Sequence, residues 1–202
     1  MKKLRNIIAF VLVLSMALAL SACGTENTPK TPDNTESAVT EPTKEPDGGS
    51  TADFAGKPFT NDFDMAVIID GKTYPVRVDS AEVLAALGDN CEKDETISCV
   101  YDGYDKKFTY DGIIVSTVPV DGKDVIEMFT ITGPAYTTTR NITIGATRDE
   151  VIAAYGEKYF DDGYLTYTES GTDEDISEMR IQFAFEGDAV SEIYVYSPSY
   201  SN

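Results

Sequence analysis

The 202-residue chain carries 35 acidic against 16 basic side chains, a net charge of −19, and contains neither His nor Trp. Such an excess repels nucleic acid and anionic headgroups, so recognition of either through a basic patch is disfavoured. Without His the chain lacks the usual general base, the Ser-His and Cys-His nucleophile pairs and the commonest neutral metal ligand, which weighs against an enzyme and against a cofactor.

Lys2, Lys3 and Arg5 precede an apolar run from Ile7 to Leu20, broken only by Ser15 and ending in Leu20-Ser21-Ala22-Cys23. A spanning helix needs about twenty apolar residues, so residues 1–22 read as a secretory signal. The Cys directly after Leu-Ser-Ala resembles the bacterial lipoprotein signal. That resemblance implies that Cys23 receives a diacylglyceryl group and fatty acyl chains such as palmitate, becomes the mature N-terminus and holds the protein to the cell membrane on its extracytoplasmic face. The alternative is an ordinary cleaved signal with a chance Cys. Two acyl chains suffice for stable anchoring where one does not. Lys2, Lys3 and Arg5 account for three of the 16 cations, so the chain without its signal has 13 cations against 35 acids, a net charge of −22.

Residues 23–58 are rich in Thr, Pro, Glu, Asp and Ser, with few apolar side chains. Such a stretch cannot bury enough surface to offset its ordering entropy and reads as an acidic tether with an r.m.s. reach of roughly 30 Å. Residues 59–202 are a comfortable length for one domain with one core.

Within that domain, Ala66 to Ile69 and Thr73 to Val78 flank Asp70-Gly71, a hairpin signal, and Pro75 places the second strand at an edge. A short helix follows in Val76 to Asp89, VRVDSAEVLAALGD. Its echo is Ile144 to Glu157, IGATRDEVIAAYGE, sixty-eight positions on. Thr147 and Glu150 have the S/T-x-x-E spacing of a capping box, and Asp79 and Glu82 take the same places in the earlier copy. Val151, Ile152 and Tyr155, like Val83, Leu84 and Leu87, fall on one helix face, and Gly156 and Gly88 end the helices. Strands are expected at Cys99 to Tyr101, Lys107 to Tyr110, Ile113 to Val118 and Val125 to Thr132. After a polar linker, Gly133 to Arg140, further strands are expected at Asn141 to Ile144, Tyr164 to Thr168, Met179 to Phe185 and Val190 to Tyr196. Gly122-x-x-Val125-x-Glu127 matches Gly187-x-x-Val190-x-Glu192 at an offset of sixty-five. The expected fold class is therefore α+β: two tandem helix-plus-strand repeats, at about 64–132 and 141–198, forming one sheet with both helices on one face.

The pattern Gly145-x-Thr147-x-x-Glu150-Val151-x-x-x-Tyr155-Gly156 resembles that of the SmpA/OmlA (BamE)-type envelope lipoproteins, and the duplicated plan is similar to β-lactamase inhibitory proteins. The resemblance implies a protein-binding module of the cell envelope. Those patterns usually place Pro two residues after the Gly, where this chain has Lys158 and Asn90.

Cys91 and Cys99 are expected to form a disulfide, with two buried thiols as the alternative. Asp161-Asp162-Gly163 and Thr172 to Asp175 lack the spacing of a Ca²⁺ loop and read as solvated, so no metal site is expected. If Ile193 and Val195 face the helices, Tyr194 and Tyr196 lie on the opposite face with Phe129 and Ile131, forming a candidate protein-binding surface. The expected function is a lipid-anchored, non-enzymatic protein-interaction module with a protein or peptide partner. A lipoprotein binding a small solute or cation is the alternative.

Overall fold

A computed structural model describes residues 54–199; the signal, Cys23 and the tether up to Asp53 lie outside the described residues. Among the described residues, three short helices, α1 (Asn61–Asp64), α2 (Ala81–Leu87) and α3 (Arg148–Tyr155), stand against eleven strands. A small sheet is built from β1 (Ala66–Ile69), β2 (Lys72–Pro75) and β7 (Thr137–Thr138) in the order β2-β1-β7. The large sheet contains β3 (Glu92–Ile97), β4 (Tyr104–Tyr110), β5 (Ile113–Val120), β6 (Lys123–Ile131), β8 (Phe160–Asp161), β9 (Leu165–Tyr167), β10 (Arg180–Glu186) and β11 (Ala189–Tyr196). Its order is β3-β4-β5-β6-β11-β10-β9-β8, with every pair antiparallel.

The α+β expectation of two helix-plus-strand repeats in one sheet, both helices on one face, is thereby corrected. The molecule is mostly antiparallel β, in two sheets, one of them eight strands wide. Helices of seven and eight residues are too short to form a layer and act as clips on a core that strands supply. One buried cluster joins Val67 and Ile69 of the small sheet, Val83, Val151 and Tyr155 of the helices, and Val115, Phe129, Phe183 and Ile193 of the large sheet.

Local chemistry explains the turns and caps. Asp70-Gly71 and Asp121-Gly122 hold positive φ at both residues, 50° and 78°, then 50° and 75°, as type I′ hairpins require. The α3 capping box is present: Glu150 N–H donates to Thr147 Oγ1 (3.2 Å) and Thr147 N–H to Glu150 Oε2 (2.7 Å). The first copy departs from this. Ser80 is the N-cap of α2 and makes no side-chain cap bond, Asp79 Oδ1 accepts from Ala81 N–H (3.0 Å), and Glu82 pairs with Lys72 instead.

Four segments differ from the sequence expectation. Glu92–Ile97 is a strand although all six side chains are exposed, whereas Cys99 to Tyr101 forms a bend. Asn141 to Ile144 carries no strand. The linker ending at Arg140 is partly buried, and Arg140 itself is 6 % exposed.

Arg140 also moves the domain boundary. Its Nε and Nη2 form a fork to Asp64 Oδ1 and Oδ2, both at 2.7 Å, and both side chains are shut away from solvent. The same guanidinium donates to the carbonyls of Phe54 (3.0 Å), Lys57 (2.7 Å), Pro58 (3.0 Å) and Ala154 (2.9 Å), and lies 4.6 Å above the Tyr155 ring. Gly56 N–H adds a bond to Ala154 O (3.0 Å). Residues 54–58, expected in the tether, thus belong to the folded part.

Candidate functional site

The register assigns each strand residue to a face. Val115, Phe129, Val195 and Ile181 are successive cross-strand neighbours, as are Ile113, Ile131, Ile193 and Phe183, and all eight are fully buried. Tyr194 and Tyr196 alternate with Ile193 and Val195 and so lie on the opposite face, where both are half-buried. Their neighbours there are Thr130 and Met128 of β6 and Gln182 and Arg180 of β10. Ile114 and Ser116 of β5 continue the row.

Phe129 and Ile131 are therefore not on that surface, which corrects the expectation; each pairs with a core residue of β11 and is buried completely. The cause is a one-residue slip. The ladder skips Glu127 on β6 and Ser191 on β11, so Ile126, Phe129 and Ile131 occupy the places that Val190, Ile193 and Val195 hold, an offset of sixty-four rather than sixty-five. A slip of one exchanges the two faces of a strand.

The face is stiffened by its own contacts. The Tyr164 ring meets Tyr194 edge-on at 5.7 Å and 85°. Gln182 Nε2 donates to Thr166 Oγ1 (3.2 Å), whose hydroxyl donates to Asp162 Oδ1 (3.0 Å). Tyr194 Oη donates to the Glu192 carboxylate. Partial burial, and then that carboxylate, raise the Tyr194 phenol well above its ordinary range, so it stays a neutral donor at physiological pH. The surface combines tyrosine rings, a thioether and an amide, with Thr130 and Thr166 buried among them, which suits shape-specific contact.

Towards β3 the large sheet carries a depression of about 410 Å³ lined by Asp94, Thr96, Asp105, Lys107, Ser116 and Glu127 among others. A second hollow of about 650 Å³ runs along α3 beside Ile142, Ile144, Ala146, Ala153 and Ala154. Among the described residues no group of three or more Cys, Asp or Glu side chains is placed to hold a metal ion.

The expected Cys91–Cys99 disulfide is absent, and both thiols are free, Cys91 half-buried and Cys99 exposed. β3 lies between them. Six extended residues at about 3.3 Å each hold the two Cα atoms far beyond the roughly 7 Å that a disulfide spans. Cys23 lies outside the described residues, and no described helix is long and apolar enough to cross a membrane. The Arg140–Asp64 pair has no sequence signal beyond a cation inside a Thr-rich linker of an acidic chain. Comparison with known proteins returns no match among family profiles, curated proteins or solved structures.

Proposed function

We propose that this protein is a non-enzymatic interaction module, carried on the extracytoplasmic side of the cell membrane by lipid on Cys23, whose outer sheet face binds a protein or peptide. One observation carries the reading. Tyr194, Tyr196, Met128 and Ile114 are partly exposed on one face of the sheet, in two adjacent cross-strand rows, while their sequence neighbours Ile193, Val195, Phe129 and Ile113 are fully buried. A rigid platform of tyrosines with few rotatable bonds is the composition found at the energetic centres of protein interfaces. The leader sequence supports the location, and the lack of His supports a binding role over acid–base chemistry.

The test is a Tyr194→Ala/Tyr196→Ala double variant, with Glu82→Gln on α2 as a remote control, followed by quantitative crosslinking in intact cells. A partner held by this face is recovered at least tenfold less with the double variant and normally with the control, since hot-spot truncations cost about 2 kcal/mol or more. Equal recovery from all three rejects the face. Metabolic labelling with an alkynyl fatty acid tests the anchor separately: the label is expected on the parent and lost in Cys23→Ala.

A further inference from the structure

The β3–β4 hairpin gathers features that the outer face does not use. β3 is the outermost strand of the large sheet and pairs with β4 alone. Three of the six large exposed apolar side chains among the described residues sit at its far end: Ile97 (71 % exposed), Val100 (51 %) and Tyr104 (53 %), with Ile97 directly opposite Tyr104. Both free thiols flank the strand.

We infer that β3 is a homodimer interface, joining antiparallel to β3 of a second copy about a two-fold axis at Glu95. Antiparallel self-pairing requires facing residue numbers to share one sum, and the axis at Glu95 gives 190. Cys91 then faces Cys99 of the second copy, twice per dimer, because the two cysteines stand four residues to either side of Glu95. Facing residues in such a ladder have Cβ atoms about 4.5–5.5 Å apart; Cys91 directly precedes β3 and Cys99 stands in the bend after it, so the inference includes extension of the ladder through Cys99 on pairing, which brings the two sulfurs within reach of a disulfide. A strand edge covered by charge of one sign would repel its copy, and that is how edges are usually protected. Here Glu92-Lys93-Asp94-Glu95 mixes signs, and in self-pairing the only directly facing charges are the two Glu95 carboxylates, which the diagonal Lys93 side chains offset. Lys93 faces Ile97 of the second copy and stands diagonal to its Glu95, and Asp94 faces Thr96. The two Glu95 carboxylates meet at the axis between both Lys93 and both Lys106 side chains; Lys93 already pairs with Glu95 at 2.7 Å within one chain, and both lysines lower the Glu95 pKa. Ile97 gains the Lys93 stem as an apolar cover. Repulsion between the acidic bodies is screened beyond about 8 Å at physiological ionic strength, whereas the ladder charges lie within that range.

The covalent lock is thiol–disulfide exchange with an oxidised low-molecular-weight disulfide. The Cys91 thiolate attacks one sulfur and releases one thiol. Cys99 of the second copy, as thiolate, then displaces the other thiol from the mixed disulfide, so two protein thiols are oxidised as one small disulfide is reduced.

The experiment uses the full chain, an equal mixture of ¹⁴N- and ¹⁵N-labelled protein, treated with oxidised glutathione. Non-reducing electrophoresis and peptide mapping follow. The inference expects a dimer whose Cys91–Cys99 peptides contain mixed isotopes, lost in Cys91→Ser and in Cys99→Ser. Lys93→Glu, at an exposed position that leaves the fold intact by circular dichroism, lowers the dimer yield about tenfold, and Lys93→Glu/Glu95→Lys restores it. Absence of dimer, links of Cys91 to Cys91 or Cys99 to Cys99 as the main products, or indifference to Lys93→Glu each overturns it. None of these outcomes bears on the tyrosine face, which lies on a different surface.

Discussion

Replacing Arg140 by Met removes the guanidinium and leaves Asp64 as a buried carboxylate with no counter-charge. Asp64 is 0 % exposed, so water cannot take over. Breaking one side of a buried pair costs about 3–5 kcal/mol. The carbonyls of Phe54, Lys57, Pro58 and Ala154 lose a donor at the same time, although these terms do not add independently. A loss of about 4 kcal/mol is a large share of the 5–15 kcal/mol that typical domains possess, and for this size it lowers Tm by about 10 °C. Urea denaturation followed by circular dichroism on the full chain measures it. Adding Asp64→Leu to Arg140→Met is expected to recover about 1–2 kcal/mol, because the stranded charge is gone while the orphaned carbonyls remain. A single-variant loss below about 1 kcal/mol, or a double variant worse than Arg140→Met alone, would refute the account of a charge pair sealed from solvent.

Other expectations follow from single sites. A Cβ at Gly133 would stand 2.7 Å from Gly112 Cα, backbone that cannot swing aside, so Gly133→Ala should destabilise by about 2 kcal/mol in the same urea assay. Thr147→Ala should cost about 1 kcal/mol through the lost cap of α3. Hydrogen bonds from Thr147 hold the Glu150 pKa below its ordinary 4.5, so their stabilising effect is present above that value and lost as pH falls through the lowered one. The gap between parent and Thr147→Ala should accordingly narrow in urea titrations run from pH 6 down to pH 3; a constant gap argues against a role for the carboxylate in the cap. Burial, with the Asp64 charge next in size, raises the Tyr155 phenol above 10, and burial likewise raises Tyr167. Raised folded-state values mean stability that is intact below pH 10 and drains away in stronger alkali, so spectrophotometric titration should show a delayed tyrosine fraction released only on unfolding.

The features of the fold legible in sequence were those set by neighbours in the chain. Asp70-Gly71 forms the hairpin its composition implies, Thr147 and Glu150 form the reciprocal cap, and the strand expected from Ile113 is present as β5. Long-range geometry was less visible. Glu92–Ile97 has no apolar alternation because an outermost strand in this sheet buries nothing, so it reads as loop. The facing of Phe129 and Ile131 turned on whether one residue is skipped at Glu127, which pairing decides and composition does not. The spacing of Cys91 and Cys99 suits a short loop closure only if the segment between them is not extended, and Glu92–Ile97 is a strand. Arg140 carries no local pattern, since its partners lie 76 to 86 residues earlier and 14 later. That Tyr194 and Tyr196 lie on the face opposite Ile193 and Val195 follows from the period of one strand alone and is legible without the pairing.

The gathering of four backbone oxygens and one carboxylate on Arg140 has a mechanical meaning. Any pull delivered along the chain ahead of Phe54 reaches the domain at this guanidinium, and it must drag several bonds at once before β1 feels it. Load is shared in parallel and passed to the last turn of α3. A peeling path, in which contacts give way in succession at low force, begins only once that knot has slipped.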